Sequence, residues 1–256
     1  MFHFLLRTIP RPILIQLSLW FRHIAPILYF GNRYEDPISG KTYRKFLPYG
    51  YSGKAKRKNA LCPGSLSLER HRLLWLFLKR KTDFFTATKI QLLHVAPEQC
   101  FYPLFRKQNN LKYITADLNS PLADVKMDLH HTPFSDNEFD VIFCNHVLEH
   151  VDDDLQCMRE LFRILKKGGW GVFQVPMDIN RKDTYEDKSI VSEADRENHF
   201  WQKDHVRLYG LDYPTRLQHA GFKVEIIDMT QELGSELVDR YRLPAGEMIY
   251  LCKKEN

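Results

Sequence analysis

"FDVIFCNHVLEHVDDDLQCMRELFRILKKGGWGVFQVPM", Phe139 to Met177, contains a complete strand–helix–strand unit. Phe139, Val141, Ile142, Phe143 and Cys144 make a run that is apolar on both faces, the pattern of a strand covered from both sides. A run of acids, Asp152 to Asp154, opens the next segment. There Leu155, Met158, Leu161, Phe162 and Leu165 recur at helical spacing, and Gly168-Gly169 reads as the helix stop. "WGVFQVPM" is then a second strand, which a connecting helix places parallel to the first.

The same alternation extends outward. On the N-terminal side, "KIQLLHV" (89–95) reads as a strand, "EQCFYPLFRKQ" (98–108) as a helix, "LKYITADL" (111–118) as a strand and "ADVKMDL" (123–129) as a short strand. On the C-terminal side, "LDYPTRLQHAG" (211–221) reads as a helix ended by Gly221, with strands at "FKVEIID" (222–228) and "GEMIYLCKK" (246–254). The chain is therefore expected to be an α/β protein with a mostly parallel sheet covered on both faces. Such sheets bind ligands outside the carboxyl ends of their strands. That directs attention to Ala96–Gln99, Asp117–Asn119, Asp128 with Leu129, Asn145 with His146, and Val175–Asp178.

At 256 residues and 44% hydrophobic, the chain can bury a full core, and its length suits one large domain with an appendage. The five cysteines form no CxxC pair, so neither a disulfide framework nor a metal site is expected, and a reducing, cytoplasmic setting is the simpler reading. Charge is uneven. Residues 1–81 hold sixteen Lys and Arg against three acids, about +13, and the remainder holds 21 against 29, about −8. A basic front on an acidic body suits an anionic partner, such as a lipid headgroup layer, a nucleic acid or a phosphorylated substrate. The other reading is a solvated basic face, or one docked on the body.

Residues 1–34 are apolar and basic, broken by Pro10, Pro12 and Pro26. The longest uncharged run, Pro12 to Phe21, falls well short of the roughly 20 residues that span a bilayer. Trp20-Phe21-Arg22 is too bulky and cationic for a signal-peptide cleavage site. Two readings stand: a helical segment packed on the protein, or a peripheral contact with the inner membrane face through Leu, Ile, Trp and Phe. From Leu66 a helix is expected, with Ser67 as its N-cap, covering one edge of the following domain.

The block from Asp128 to Pro176, with Asp117 closing the second strand and the later "DHVRLYG" (204–210), resembles the class I S-adenosylmethionine-dependent methyltransferases carrying a "PFxDxxFDxVxxxxVLEH" signature. The resemblance covers roughly residues 66–256. It implies a Rossmann-like seven-stranded sheet of order 3-2-1-4-5-7-6 with an antiparallel seventh strand, a lid over 178–210, and S-adenosylmethionine as cofactor. Carried over by position, Asp117 with Leu118 would meet the ribose, Asp128 with Leu129 the adenine, and Asn145 with His146 the methionine portion and acceptor entry. The loop after the first strand departs from the family's glycine-rich turn. His94 stands where the first acid is usual, and Ala96-Pro97-Glu98 replaces the turn, as in a subgroup with an "HVAPE" loop. Glu98 would either pair with the cofactor ammonium or be a first-turn helix acid.

The same subgroup carries two CxxC knuckles ahead of the domain. Here Asp36, Ser39 and Ser65 replace three thiolates and Cys62 keeps the fourth, so residues 35–65 are expected to be a ribbon remnant without metal. Methyl transfer from a sulfonium needs alignment and dryness more than a base. His146 and His205 are the candidate catalytic groups, and Glu149 and His150 read as structural or cofactor-side. Arg207 and Tyr209 are candidate acceptor contacts, Arg207 with a structural salt bridge as its alternative. The implied function is methyl transfer to a polar acceptor: a small molecule, a glycan or a lipid-linked group. The alternatives are an RNA acceptor docked on the basic region, and a non-catalytic cofactor-binding scaffold.

Overall fold

A computed structural model of the chain describes residue 21 and residues 24–50 and 56–255. The helical reading of residues 1–34 lies largely outside these, as do residues 51–55 of the expected ribbon remnant. Among the described residues, no helix is long and apolar enough to cross a membrane. The chain divides into two compact units: Met1–Asp83 with Asp228–Glu247, and Phe84–Ile227 with Met248–Asn256. The segments 66–83 and 228–247, assigned from sequence to the 66–256 domain, thus group with the N-terminal unit.

In the first unit, β1 (Phe30–Asp36) pairs antiparallel with β2 (Lys41–Tyr43), and β3 (Leu47–Tyr49) with β4 (Arg57–Leu61). The remnant knuckle positions converge: Asp36 accepts hydrogen bonds from Ser39 Oγ (2.7 Å) and Ser67 Oγ (3.2 Å), and Ser65 Oγ donates to Ser67 Oγ (2.9 Å). Cys62 is buried beside them, its thiol pushed up to about 11 by burial and by the Asp36 charge. Ser67 is therefore not the helix cap. Helix Glu69–Lys81 begins after Leu68, whose N–H donates to His71 Nδ1 at 3.1 Å. Buried Arg72 ties this helix to the carbonyls of Ala60, Ser67, Tyr241 and Arg242, at 2.7–3.1 Å. Tyr241 ends helix Met229–Tyr241, which the sequence pattern does not disclose because Gly234 (φ 76°) interrupts it.

The second unit holds a seven-stranded sheet built from β5 (Ile90–Val95), β6 (Leu111–Asp117), β7 (Val125–Lys126), β8 (Phe139–Cys144), β9 (Leu165–Val172), β12 (Lys223–Ile227) and β13 (Ile249–Lys253). Their order is β12-β13-β9-β8-β5-β6-β7. Counted within the sheet this is 3-2-1-4-5-7-6, as the resemblance implied. β13 runs antiparallel to both neighbours, and the pairs from β9 to β7 are parallel. Central strands β5 and β8 are buried on both faces, which explains their unbroken apolar runs.

Helix Asp154–Ile164 packs Cys157, Met158 and Leu161 into the core, and its N-cap Asp153 accepts from Gln156 N–H at 2.9 Å. Gly168-Gly169 does not stop this helix. Both glycines lie inside β9, which carries extra residues between Leu165 and Trp170 opposite Phe139 and Val141 of β8. A Cβ at Gly169 would sit 2.9 Å from the Asp140 and Lys166 carbonyl oxygens, so the bulge needs glycine there. The carbonyls at the helix end are met instead by Lys254 Nζ, 2.9 Å from Phe162 O and 2.9 Å from Leu165 O. The helix expected over 98–108 shortens to Tyr102–Phe105, because residues 98–102 turn tightly onto the Glu98 carbonyl.

The segment 178–210 contains β10 (Tyr185–Glu186), helix Glu193–Phe200 and β11 (Arg207–Leu208), with β10 antiparallel to β11. Ser192 caps the helix by accepting from Asp195 N–H.

Candidate active site

Register brings the first group of residues together. Val95 of β5 is level with Ala116 of β6 and with Cys144 of β8, so Ala96, Asp117 and Asn145 follow in one row across three adjacent strand ends. Parallel neighbours stand about 4.8 Å apart, which puts the outer two roughly 10 Å from each other.

Ala96 takes φ 50°, a region glycine enters freely and other residues only with strain. Its N–H donates to Ala116 O at 2.8 Å, and Pro97 is buried behind it. The turn returns the Glu98 carboxylate to the strand end. There one oxygen meets His94 Nε2 and the other accepts from Asn145 Nδ2 at 3.3 Å. His94, fully buried, has its Nδ1 2.8 Å from Tyr113 Oη. Burial and the Glu98 charge push the Tyr113 phenol up, so it keeps its proton. Tyr113 then donates to His94 Nδ1, and His94 Nε2–H donates to Glu98. Glu98 thus brings a carboxylate back to the end of β5, and it lies outside the short helix and is not a first-turn acid.

Asp117 Oδ1 accepts from the N–H groups of Asn119 (2.7 Å) and Ser120 (2.6 Å), which fixes the carboxylate and leaves Oδ2 its lone pairs. Leu118 beside it is 55% exposed, an apolar surface at the row's edge. Asp128 is exposed after β7. The His130 N–H, at 2.9 Å from Oδ1, holds it below the usual carboxylate range. Leu129, expected at the adenine, has its side chain buried in the core. Gln174, which carries no signal in the sequence, ties the row together. Its N–H donates to Asn145 Oδ1 (3.2 Å), and its carbonyl accepts from His146 N–H (2.7 Å).

A second cluster follows β8. His146, at φ 55°, has Nδ1 3.4 Å from Glu149 Oε1. The His150 and His205 rings meet edge to face with centroids 4.8 Å apart, and His205 Nδ1 lies 2.9 Å from Phe200 O. Burial would raise the Glu149 carboxyl, but the hydrogen bond from His146 and the nearness of the His146 and His150 rings outweigh it and hold it low. Burial lowers His205. The two candidate catalytic histidines thus border one buried carboxylate, which the sequence alone reads as structural or cofactor-side.

Arg207 and Tyr209 are not acceptor contacts. Arg207 is 1% exposed, and its five N–H groups are taken by Leu148 O (2.7 Å), Val151 O, Asp152 O (2.9 Å) and Glu186 (3.1 Å). Tyr209 donates to Asp154 Oδ2 at 2.7 Å, and burial with the Asp154 charge pushes its phenol up. Asp154 is in turn bound by Arg216 at 2.7 and 3.0 Å. "DHVRLYG" is therefore a clamp on the 148–154 turn, which is the physical reason this acceptor assignment fails.

Residues 100–173 match the family described as "Methyltransferase domain". The chain is 30% identical over 81 residues to the tRNA U34 carboxymethyltransferase of Campylobacter curvus (strain 525.92), across 31% of this chain and 27% of that protein, about a quarter of its length. Among solved structures, it is similar to the YcgJ protein from Bacillus subtilis (16% identity, 73% of this chain and 100% of that chain, TM-score 0.46). It is also similar to the Haemonchus contortus phosphoethanolamine N-methyltransferase 2 in complex with S-adenosyl-L-methionine (14%, 73% and 53%, TM-score 0.48). Within the second unit, residues 100–173 carry the match to that methyltransferase domain family, and the sheet around them has the strand order that the class I S-adenosylmethionine-dependent methyltransferase resemblance implies. The row fits that cofactor: Glu98 offers a fixed carboxylate for an ammonium, and Asp117 keeps one oxygen for vicinal hydroxyls.

Proposed function

We propose that the whole chain binds S-adenosylmethionine along the Ala96–Asp117–Asn145 row and transfers its methyl group to a polar acceptor, a small molecule, a glycan or a lipid-linked group. The observation that carries this reading is the fixed carboxylate of Glu98, held by His94 and Asn145 one strand from Asp117. The cofactor, when bound, supplies a methyl on a sulfonium, a leaving group that needs no further activation. The chain's residues then have three tasks. Glu98 and Asp117 bind the polar ends, Asn145 and Gln174 set the spacing between strands, and His146 borders the acceptor side. Such alignment replaces part of the entropy of bringing two reactants together.

Calorimetry with S-adenosylmethionine tests the reading. Binding by the full chain, weakened about tenfold or more by Asp117→Ala, is expected, since a hydrogen bond to a charged group contributes about 1.5–3 kcal/mol. Absence of binding at millimolar cofactor overturns it. A second reading, an RNA acceptor, is favoured by the basic first 81 residues and by the tRNA-modifying relative.

A further inference from the structure

Glu149 is 1% exposed, and its Oε2 has no hydrogen-bond partner among the described residues. His146 reaches only the other oxygen, Oε1, and the two remaining rings can present lone pairs when neutral. His150 Nδ1 faces the Asp204 carbonyl oxygen at 3.1 Å, and His205 Nδ1 faces the Phe200 carbonyl oxygen at 2.9 Å. A carbonyl only accepts, so each Nδ1 carries the proton and each Nε2 of the neutral ring presents a lone pair. His150 Nε2 stands 4.0 Å from Glu149 Oε1, and buried His205 Nε2 has no partner among the described residues. One ligand atom from each of Glu149, His150 and His205 lies within 4.8 Å of the others.

The frame around these groups is tight. Val206 N–H donates to Glu149 O at 2.9 Å, and the Arg207 clamp fixes the Leu148 and Asp152 carbonyls on either side of Glu149 and His150. Brought together by this frame, the buried Glu149 carboxylate, the lone pair of buried His205 and that of the more exposed His150 repel one another, a repulsion that a cation between them relieves.

The geometry points to a divalent transition-metal site made by Glu149, His150 and His205. Two imidazole nitrogens and one carboxylate oxygen suit manganese, iron, cobalt or zinc, whereas magnesium and calcium prefer an all-oxygen shell. The backbone carbonyls on the two Nδ1 atoms are the outer partners that orient ligating histidines and set their tautomer. His146, with Nδ1 3.4 Å from Glu149 Oε1, is a positioning residue on the carboxylate. Three protein ligands leave coordination positions open, and an acceptor hydroxyl taking one of them would be acidified there. That last use rests on the methyl-transfer reading; the metal site does not.

The test uses the full chain, stripped with a chelator and titrated with cobalt(II), manganese(II) or zinc(II) alone. The readouts are calorimetry, the visible cobalt spectrum and thermal melting. The expected result is about one ion per chain, with nitrogen-type cobalt bands and a raised melting temperature. Affinity should fall on the order of 100-fold in His205→Gln and in Glu149→Gln, and be unchanged in His219→Gln, an exposed histidine on helix Tyr213–His219. If the buried variants unfold, His150→Gln, altered at a more exposed ring, carries the same expectation. Absence of uptake by the unaltered chain, or uptake unchanged by His150→Gln and His205→Gln, overturns the site. Cofactor calorimetry on the same samples separates the proposals: S-adenosylmethionine binding without metal binding sinks this inference alone, and metal binding without cofactor binding sinks only the methyl-transfer reading.

Discussion

Glu98 is the residue on which the departure from the glycine-rich loop turns. Its carboxylate is bound on one side to His94 and on the other to Asn145, so its position is fixed before any ligand arrives. Glu98→Gln keeps the size and the Asn145 contact but removes the charge opposite an ammonium. A charge-assisted hydrogen bond contributes about 1.5–3 kcal/mol, so cofactor affinity should fall roughly 10- to 100-fold while the melting temperature changes little. Calorimetry beside a thermal melt checks this; unchanged affinity would return Glu98 to a structural part. Asp117 and Glu98 are legible from sequence because Asp117 ends β6 and Glu98 lies in the loop after β5, and β5 and β6 are paired neighbours. The meeting of Glu149 with His205 is not, because His205 reaches Glu149 through a chain reversal that leaves no spacing signal. Arg207 illustrates the opposite failure: an arginine in a suggestive motif reads as a ligand until its donors are followed to backbone carbonyls.

Strands β5 and β8 are readable because burial on both faces forces continuous apolar runs, and the acids before helix Asp154–Ile164 mark its start by local chemistry. The end of that helix is misleading in the sequence because its partner is distant: Lys254, beyond β13, fills the role expected of Gly168-Gly169. Burial lowers the Lys254 ammonium, yet it also reaches Asn137 Oδ1 at 2.9 Å, so protein oxygens stand in for most of its hydration. Lys254→Met keeps an unbranched apolar stem and removes those donors together with the ammonium over the Phe162 ring. It should lower unfolding free energy by about 1–3 kcal/mol, read as an earlier denaturant midpoint with unchanged slope. An unaltered midpoint would mean that water satisfies those carbonyls equally well. Helix Met229–Tyr241 is hidden for a local reason, since Gly234 breaks the periodicity on which helix reading depends.

Charge asymmetry belongs to the molecule as a whole, and it bears on which acceptor the chain meets. Sixteen basic groups against three acids in residues 1–81 make a field that an anionic polymer or surface would feel, and Lys45, Lys56 and Lys58 are exposed within it. Some of this charge is already engaged: Arg57 is bound to Glu69 at 2.9 Å, and Arg72 is buried among carbonyls. Exposed lysines keep their counterions in solution, so these three are among the groups that would release them on binding a polyanion. An RNA-docking chain should bind transfer RNA with affinity falling steeply between 50 and 200 mM salt. Changing Lys45, Lys56 and Lys58 together to Gln should then flatten the logarithmic salt slope by about two to three, near 0.7–0.9 for each phosphate that is no longer neutralised. Filter binding across a salt series reads both quantities. A slope that the triple variant leaves intact would place any RNA contact elsewhere. Absence of binding even at 50 mM salt would remove the RNA acceptor and leave the polar small-molecule, glycan or lipid-linked acceptor. In that case the basic charge would serve an anionic surface, and the chain should bind vesicles containing phosphatidylserine through the same three lysines with a comparable dependence on salt.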